Sequence, residues 1–259
     1  MAVMDEFREE RDKIKHGTFK EKWKYFWDYY KWHVIGGTLG LIMVIWIVYD
    51  VTHQNESVLY VAFLNCASVY DTSEYVASVE EYLGVEDGQA LTIDSSLDLT
   101  DDNTEAYYSY ETLAVRIAAN ELDVMVAEEE FIYGYASGDS LIDLTTVMTE
   151  EQMERYSDYF YYIDYALIES GYYDNEELSY EDLVFEGTAG HVSPEDMEQP
   201  VAVGVYISTT NEPGDYVCTS AEFNQNYYYS EPAIFTLMCY SEHTEAALQF
   251  LDFICGYTS

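Results

Sequence analysis

Carboxylates and tyrosines dominate what this chain could do chemically. The 259 residues hold 50 Asp and Glu and 28 Tyr, against ten Lys and Arg and five His. Tyr faces and carboxylates together can hold an amine, and Tyr rings can stack on sugars. The clusters Tyr107-Tyr108-Ser109-Tyr110, Tyr159-Phe160-Tyr161-Tyr162 and Tyr227-Tyr228-Tyr229 also suit a plainer role. They sit within apolar-periodic segments, so they read first as amphipathic core and rim residues.

Signals for catalysis are lacking. Of His16, His33, His53, His191 and His243, only His191 and His243 fall in the folded outer part, and no paired His spacing exists. No Walker loop, G-x-G-x-x-G or G-x-S-x-G occurs. With 50 acids, any one carboxylate pair is uninformative. The acidic run from Asp94 to Glu105 lacks the glycine and ligand order of a calcium loop. It reads as a helix N-terminus favoured by the helix dipole. Cys66, Cys218, Cys239 and Cys255 allow three disulfide pairings outside the cell, and buried free thiols at Cys66 and Cys239 fit equally. We therefore expect no catalytic residue, no metal and no cofactor, and a non-enzymatic protein.

The elements that position these residues follow from the charge distribution. Residues 1–32 hold eight bases against seven acids, a charge of +1. Residues 33–259 hold two bases, Arg116 and Arg155, against 43 acids, a charge of −41. A nucleic-acid partner is excluded, because nothing can neutralise phosphates over a large surface. The 49% hydrophobic and 17% aromatic content argues against disorder. At the boundary, Val34–Tyr49 is uncharged, and Trp32–Val51 is long enough to cross a bilayer. Residues 33–51 are the expected transmembrane helix and contact with the lipid bilayer. Trp32 lies at one end, with Trp46 and Tyr49 at the other, as in aromatic belts. No small-x-small cleavage site follows, so the helix reads as uncleaved. The positive-inside rule puts residues 1–32 in the cytoplasm and the C-terminal domain outside the cell membrane.

Within the tail, residues 5–16 are charged and helix-compatible, and Gly17 ends that run. Thr18 to Glu21 matches a capping box. Phe19, Trp23, Phe26, Trp27 and Tyr30 share one helical face. This pattern predicts an amphipathic helix lying in the membrane interface before the chain turns inward. The tail serves as anchor and topology signal, or as a docking helix for a membrane protein partner. Gly36 and Gly40 form a GxxxG through which two copies could pair as a homodimer.

Residues 52–57 read as a linker and 58–259 as the outer domain. Ser57–Leu64 predicts a strand covered on both faces. A helix runs to Leu83, ended by Gly84, and Ala90–Ile93 is a second strand. A helix over 103–120 carries Tyr107, Tyr110, Leu113, Ala114 and Ile117 at helical spacing, and Leu122–Ala127 is a third strand. This β-α-β-α-β order implies a parallel sheet with right-handed crossovers. Further on, 128–136 is a short helix, 141–144 is extended, and Thr149 opens another helix. Residues 159–199 show weak periodicity. Strands over 201–207 and 233–239 and a helix over 242–254 close the chain. The fold class is α/β, a parallel-containing sheet with flanking helices, preceded by a single transmembrane helix.

Residues 114–148 and 233–255 carry a resemblance. Asn120-Glu121-Leu122-Asp123-Val124, then Gly138, Leu141, Asp143 and Leu144, resemble the central stretch of extracellular solute-binding proteins of the type-2 periplasmic-binding fold. The closing Ala247-Leu248-Gln249-Phe250-Leu251 is similar to that family's late helix. The Lys22-to-Lys31 block resembles that of single-pass bacterial membrane proteins. In the solute-binding family a second lobe lies between the third strand and the late strands. Here only residues 145–199 occupy that place, so the resemblance implies one lobe with a small cap.

Open α/β sheets bind ligands beyond the carboxyl ends of their strands. That rule selects Asn65 and Ser68, Asp94 and Ser95, Glu128 and Glu129, and Ser208 and Thr209 as ligand-binding positions. Trp23, Phe26, Trp27, Trp32, Trp46 and Tyr49 are the expected membrane-interface residues. The functional expectation is a membrane-tethered extracytoplasmic domain that binds a small polar or cationic solute, or a partner protein. The alternative is an accessory subunit of a membrane complex. A hydrolase acting on glycan or peptide is the third reading.

Overall fold

The computed structural model describes residues 18–52, 55–100, 104–170, 194–207, 220–229 and 232–257. Two compact units divide between Gln54 and Asn55.

The first unit contains helix α1, Phe19–Thr52, unbroken over 34 residues. At 1.5 Å per residue this is about 51 Å. Its stretch Tyr30–Tyr49 is long and apolar enough to cross a membrane. The expected turn between an interfacial helix and a membrane helix is not found: both are one element. Gly36 and Gly37 cost about 2 kcal/mol of propensity together, too little to end a helix that is apolar on both sides of them, and no proline interrupts. Phe19, Trp23, Phe26 and Tyr30 form a ladder, with ring centroids 6.4, 6.0 and 5.4 Å apart. Trp23, Phe26, Trp27, Trp32, Trp46 and Tyr49 are all exposed in the chain by itself. Residues 5–16 lie outside the described residues, as does the side chain of Glu21.

The second unit is built on a six-stranded mixed sheet, with order β3-β1-β4-β8-β6-β5. The strands are β1 (Glu56–Phe63), β3 (Gln89–Asp94), β4 (Val124–Glu128), β5 (Phe160–Asp164), β6 (Pro200–Ile207) and β8 (Ala233–Leu237). β1 pairs parallel with both β3 and β4, as the β-α-β-α-β reading expects. The late strands break that pattern: β8 lies antiparallel between β4 and β6, and β5 is antiparallel to β6. Four strands therefore run one way and two the other. A second, two-stranded sheet pairs β2 (Ala67–Ser68) with β7 (Tyr227–Tyr228).

Helices cover both faces. Leu59, Val61 and Phe63 of β1 point to one face, against α2 (Ser73–Leu83) and α8 (Thr244–Ile254). Tyr60, Ala62 and Leu64 alternate to the other, with α3 (Thr104–Ala118) and α4 (Glu129–Ser137). This two-sided burial is why β1 is apolar almost throughout. Gly84 takes φ +68 and ends α2, a conformation that costs glycine little.

The described part of 145–199 extends the same sheet. Helix α5 (Glu150–Tyr156) opens with the capping box of Thr149 and Gln152. β5 then joins the sheet edge, and α6 (Tyr165–Glu169) follows. Asp164, at the end of β5, accepts N–H bonds from Ala166, Glu198 and Gln199 and ties these segments together. Weak periodicity concealed β5, because Tyr161 and Tyr162 supply both faces with the same residue type. Helix α7 (Ala221–Asn226) was likewise unexpected. Residues 171–193 lie outside the described residues.

One expectation about α3 is corrected. Ala106 and Leu113 are its buried contacts, while Tyr107, Tyr110 and Ala114 face solvent. Apolar residues lie on two adjoining arcs of the helix, Ala106, Leu113 and Ile117 on one and Tyr107, Tyr110, Ala114 and Val115 on the other, so periodicity could not tell which meets the sheet.

Candidate functional site

A groove of about 680 Å³ in the second unit runs beside β1 and β3 toward the end of α3. Its polar groups come from separate elements: Tyr60 from β1, Asp94 from β3, Arg116 from α3, Asn120 and Glu121 from the turn after α3, and His243 from the start of α8. Asn120 takes φ +55, which turns the chain from α3 toward β4.

Tyr60 is the hinge of this arrangement. Its hydroxyl donates to an Asp94 carboxylate oxygen at 3.2 Å. The Arg116 guanidinium lies 5.3 Å from its ring centroid and also pairs with Glu121. Burial raises the Tyr60 phenol above its ordinary range and the Asp94 charge adds to this, while Arg116 pulls the other way. The phenol is therefore a hydrogen-bond donor at neutral pH.

Asp123 lies just before β4 and is buried. It accepts from the Tyr60 backbone N–H at 2.8 Å and from the Ser241 hydroxyl at 2.7 Å. Its oxygens also lie 3.0 and 3.1 Å from His243 Nδ1. His243 lines both the main groove and a neighbouring one of about 430 Å³ against the start of β1. A buried carboxylate fixing one imidazole nitrogen is the orienting half of a general-base pair. Among the described residues no hydroxyl or thiol is bonded to Nε2. What the geometry achieves here is to anchor the start of α8 to the start of β4.

A third groove, about 490 Å³, lies between α5 and α8. There Asp252 accepts from Gln152 Nε2 at 3.0 Å, Arg155 Nη1 at 3.1 Å and the Tyr156 hydroxyl at 2.6 Å. Arg155 also pairs with Glu151 and lies over Tyr257. Both arginines of the second unit are thus held by an acid and an aromatic ring.

The residues chosen by the strand-end rule share one edge in part. Ser68 and Ser95 approach to 3.3 Å between hydroxyl oxygens. Asn65, at φ +56, accepts from Leu99 N at 2.7 Å and so organises the loop after β3. Asp94 also caps a turn through Ser96, and Asp98 does so through Thr100. Glu128 and Glu129 form the junction of β4 with α4. Only Asp94 of this set lines the main groove, which follows β3 from Ala90 to its last residue and passes Ser57 and Tyr60 of β1. Ser208 and Thr209 lie outside the described residues. Arg116, Tyr60 and His243 were not selected from sequence; the scarcity of Arg in an acidic domain was the one signal available.

Of the cysteines, Cys66 and Cys239 carry free thiols among the described residues, and Cys218 lies outside them. Cys239 is exposed rather than buried, because the turn after β8 carries it outward. Burial pushes the Cys66 thiol up to about 11. No protein-family model, curated protein or solved structure matches this chain.

Proposed function

We propose that this chain is a single-pass membrane protein whose acidic outer domain binds a small polar or cationic solute without transforming it. The orientation in this reading puts residues 1–32 in the cytoplasm and the α/β unit outside. The observation that carries it is the groove in which Tyr60, Asp94, Arg116, Glu121 and His243 converge. It offers two carboxylates against one guanidinium, together with a phenol donor and an imidazole edge. Such a set suits an amine-bearing ligand, and the −41 charge outside the tail would concentrate cations around it. The three adjacent parallel strands between helical layers agree with the resemblance to one lobe of the type-2 periplasmic-binding fold.

The test is a thermal-shift screen of the full-length protein in detergent with choline, arginine and spermidine. Ligand that binds only the folded state raises the unfolding temperature by mass action. Asp94→Asn with Glu121→Gln should remove that rise. No shift at millimolar probe, or a shift these changes leave intact, would sink the reading. Orientation is read separately: a reporter active only in the cytosol, fused after Ser259, should be silent.

One observation favours a second reading, an accessory subunit of a membrane complex. The outward face of α3 is aromatic and uncovered among the described residues.

A further inference from the structure

The outward face of α3 is built unlike those of the described helices α2 and α5. At 100° per residue, Tyr110, Ala114, Tyr107, Ala118, Glu111, Thr104, Val115 and Tyr108 follow one another along a single arc. All are exposed: Tyr107 at 66%, Tyr108 at 61%, Tyr110 at 49% and Val115 at 60%. The opposite arc, Ala106, Leu113 and Ile117, meets the sheet. Glu111 is the one acid among these outward residues. In α2 and α5, by contrast, Glu74, Glu81, Glu150, Glu151 and Glu154 solvate the outward face. In a region where acids outnumber bases 43 to two, α3 presents rings and methyls instead.

We infer that this face of α3 docks a basic protein segment, one presenting Arg or Lys among small apolar residues. Charge selects that occupant. A second copy brings another −41 region against the first, and an anionic bilayer surface repels the domain in the same way. A basic segment gains from the surrounding field at long range. Its cations can then lie over the exposed rings of Tyr107, Tyr108 and Tyr110, while Ala114 and Val115 take its apolar side chains. The inference gives the accessory-subunit reading a site and a partner chemistry, and it is independent of the groove.

The test uses full-length protein in phosphatidylcholine nanodiscs and a fluorescein-labelled helical peptide of Ala and Arg repeats, read by anisotropy. Its Ala and Glu counterpart is the control. The basic peptide should bind, and Tyr107→Ser/Tyr108→Ser/Tyr110→Ser should weaken it at least tenfold with circular dichroism unchanged. Glu111→Arg alone should also weaken it. Glu80→Gln/Glu81→Gln, on α2, should change it less than twofold, and Asp94→Asn not at all. Equal losses in the α2 and α3 variants would mean diffuse attraction and overturn the docking face. So would no binding by the parent protein. Concentration-dependent dimers, or binding to added phosphatidylglycerol vesicles, that the Tyr changes abolish would assign the face to a second copy or to lipid, and overturn it as well. Loss of choline, arginine and spermidine binding with the peptide result intact would remove only the groove.

Discussion

His243 Nδ1 lies 3.0 Å from one carboxylate oxygen of Asp123 and 3.1 Å from the other, across 120 residues of sequence. The pair joins the start of the last helix to the start of the central strand β4. The same carboxylate takes the Tyr60 N–H and the Ser241 hydroxyl, so three segments meet on one buried group. Asp123→Ala leaves those donors facing an apolar methyl. We expect a loss of about 2–3 kcal/mol in chemical unfolding of the full-length protein. A loss under 1 kcal/mol would mean that water replaces the carboxylate.

Asp252 does the same for α5 and α8. Removing it takes the acceptor from the Tyr156 hydroxyl and the Gln152 amide and one of the two carboxylates from Arg155. Asp252→Ala should cost about 2–4 kcal/mol. Arg155 is partly solvated, so Arg155→Met should cost less than half as much. Comparison of the two unfolding midpoints checks the order.

Gly204 sits in β6 where β8 leaves no room for a side chain. A Cβ there would stand 2.4 Å from Ile234 Cγ2 and 2.9 Å from the Phe235 carbonyl oxygen. The oxygen belongs to the paired backbone and cannot rotate away. Gly204→Ala should therefore destabilise by about 2–3 kcal/mol, although alanine is normally the smallest perturbation. A thermal midpoint unchanged by this substitution would contradict the β6–β8 register.

Tyr75 and Tyr229 are buried among aromatic rings, and burial raises both phenols well above 10.0. Unfolding releases them to ionise near 10.0. The stability they lend is complete below pH 10 and falls above it, by up to about 1.4 kcal/mol per pH unit for each phenol. Absorbance at 295 nm against pH should show exposed tyrosines titrating first. A second, cooperative rise should coincide with loss of circular dichroism.

The thiols should separate by rate. Cys239 is exposed, whereas Cys66 is half-buried with its thiol pushed up to about 11. At pH 8, iodoacetamide should modify Cys239 at least tenfold faster than Cys66, because only thiolate attacks. Peptide mass mapping over time gives the two rates. Equal rates would mean that β2 and β7 open readily around Cys66.

Much of the architecture was visible in local patterns. The bilayer-length apolar stretch within α1, the all-apolar run of β1, the stop at Gly84 and the opening of a helix at Thr149 each depend on neighbours within a few residues. The parallel pairing of β1 with β3 and β4 follows because helical crossovers force that direction. β5 escaped because its Tyr-rich sequence has no alternation. The exposure of Tyr107 and Tyr110 escaped because α3 is apolar on both sides. The groove was harder still, since Tyr60, Asp94, Arg116 and His243 come from four elements and no spacing links them.

The sequence alone determined the separation of a near-neutral tail from a −41 remainder, the presence of one bilayer-length helix between them, and the alternation of strands and helices. These are properties of composition and of periods of two and 3.6 residues, which a chain carries without folding. The tertiary structure decided the antiparallel placement of β8 and β5, the side of α3 that faces the sheet, and the meeting of Asp123 with His243. Each of those depends on which distant segments exclude water from one another, and that is settled only when the sheet closes around its core.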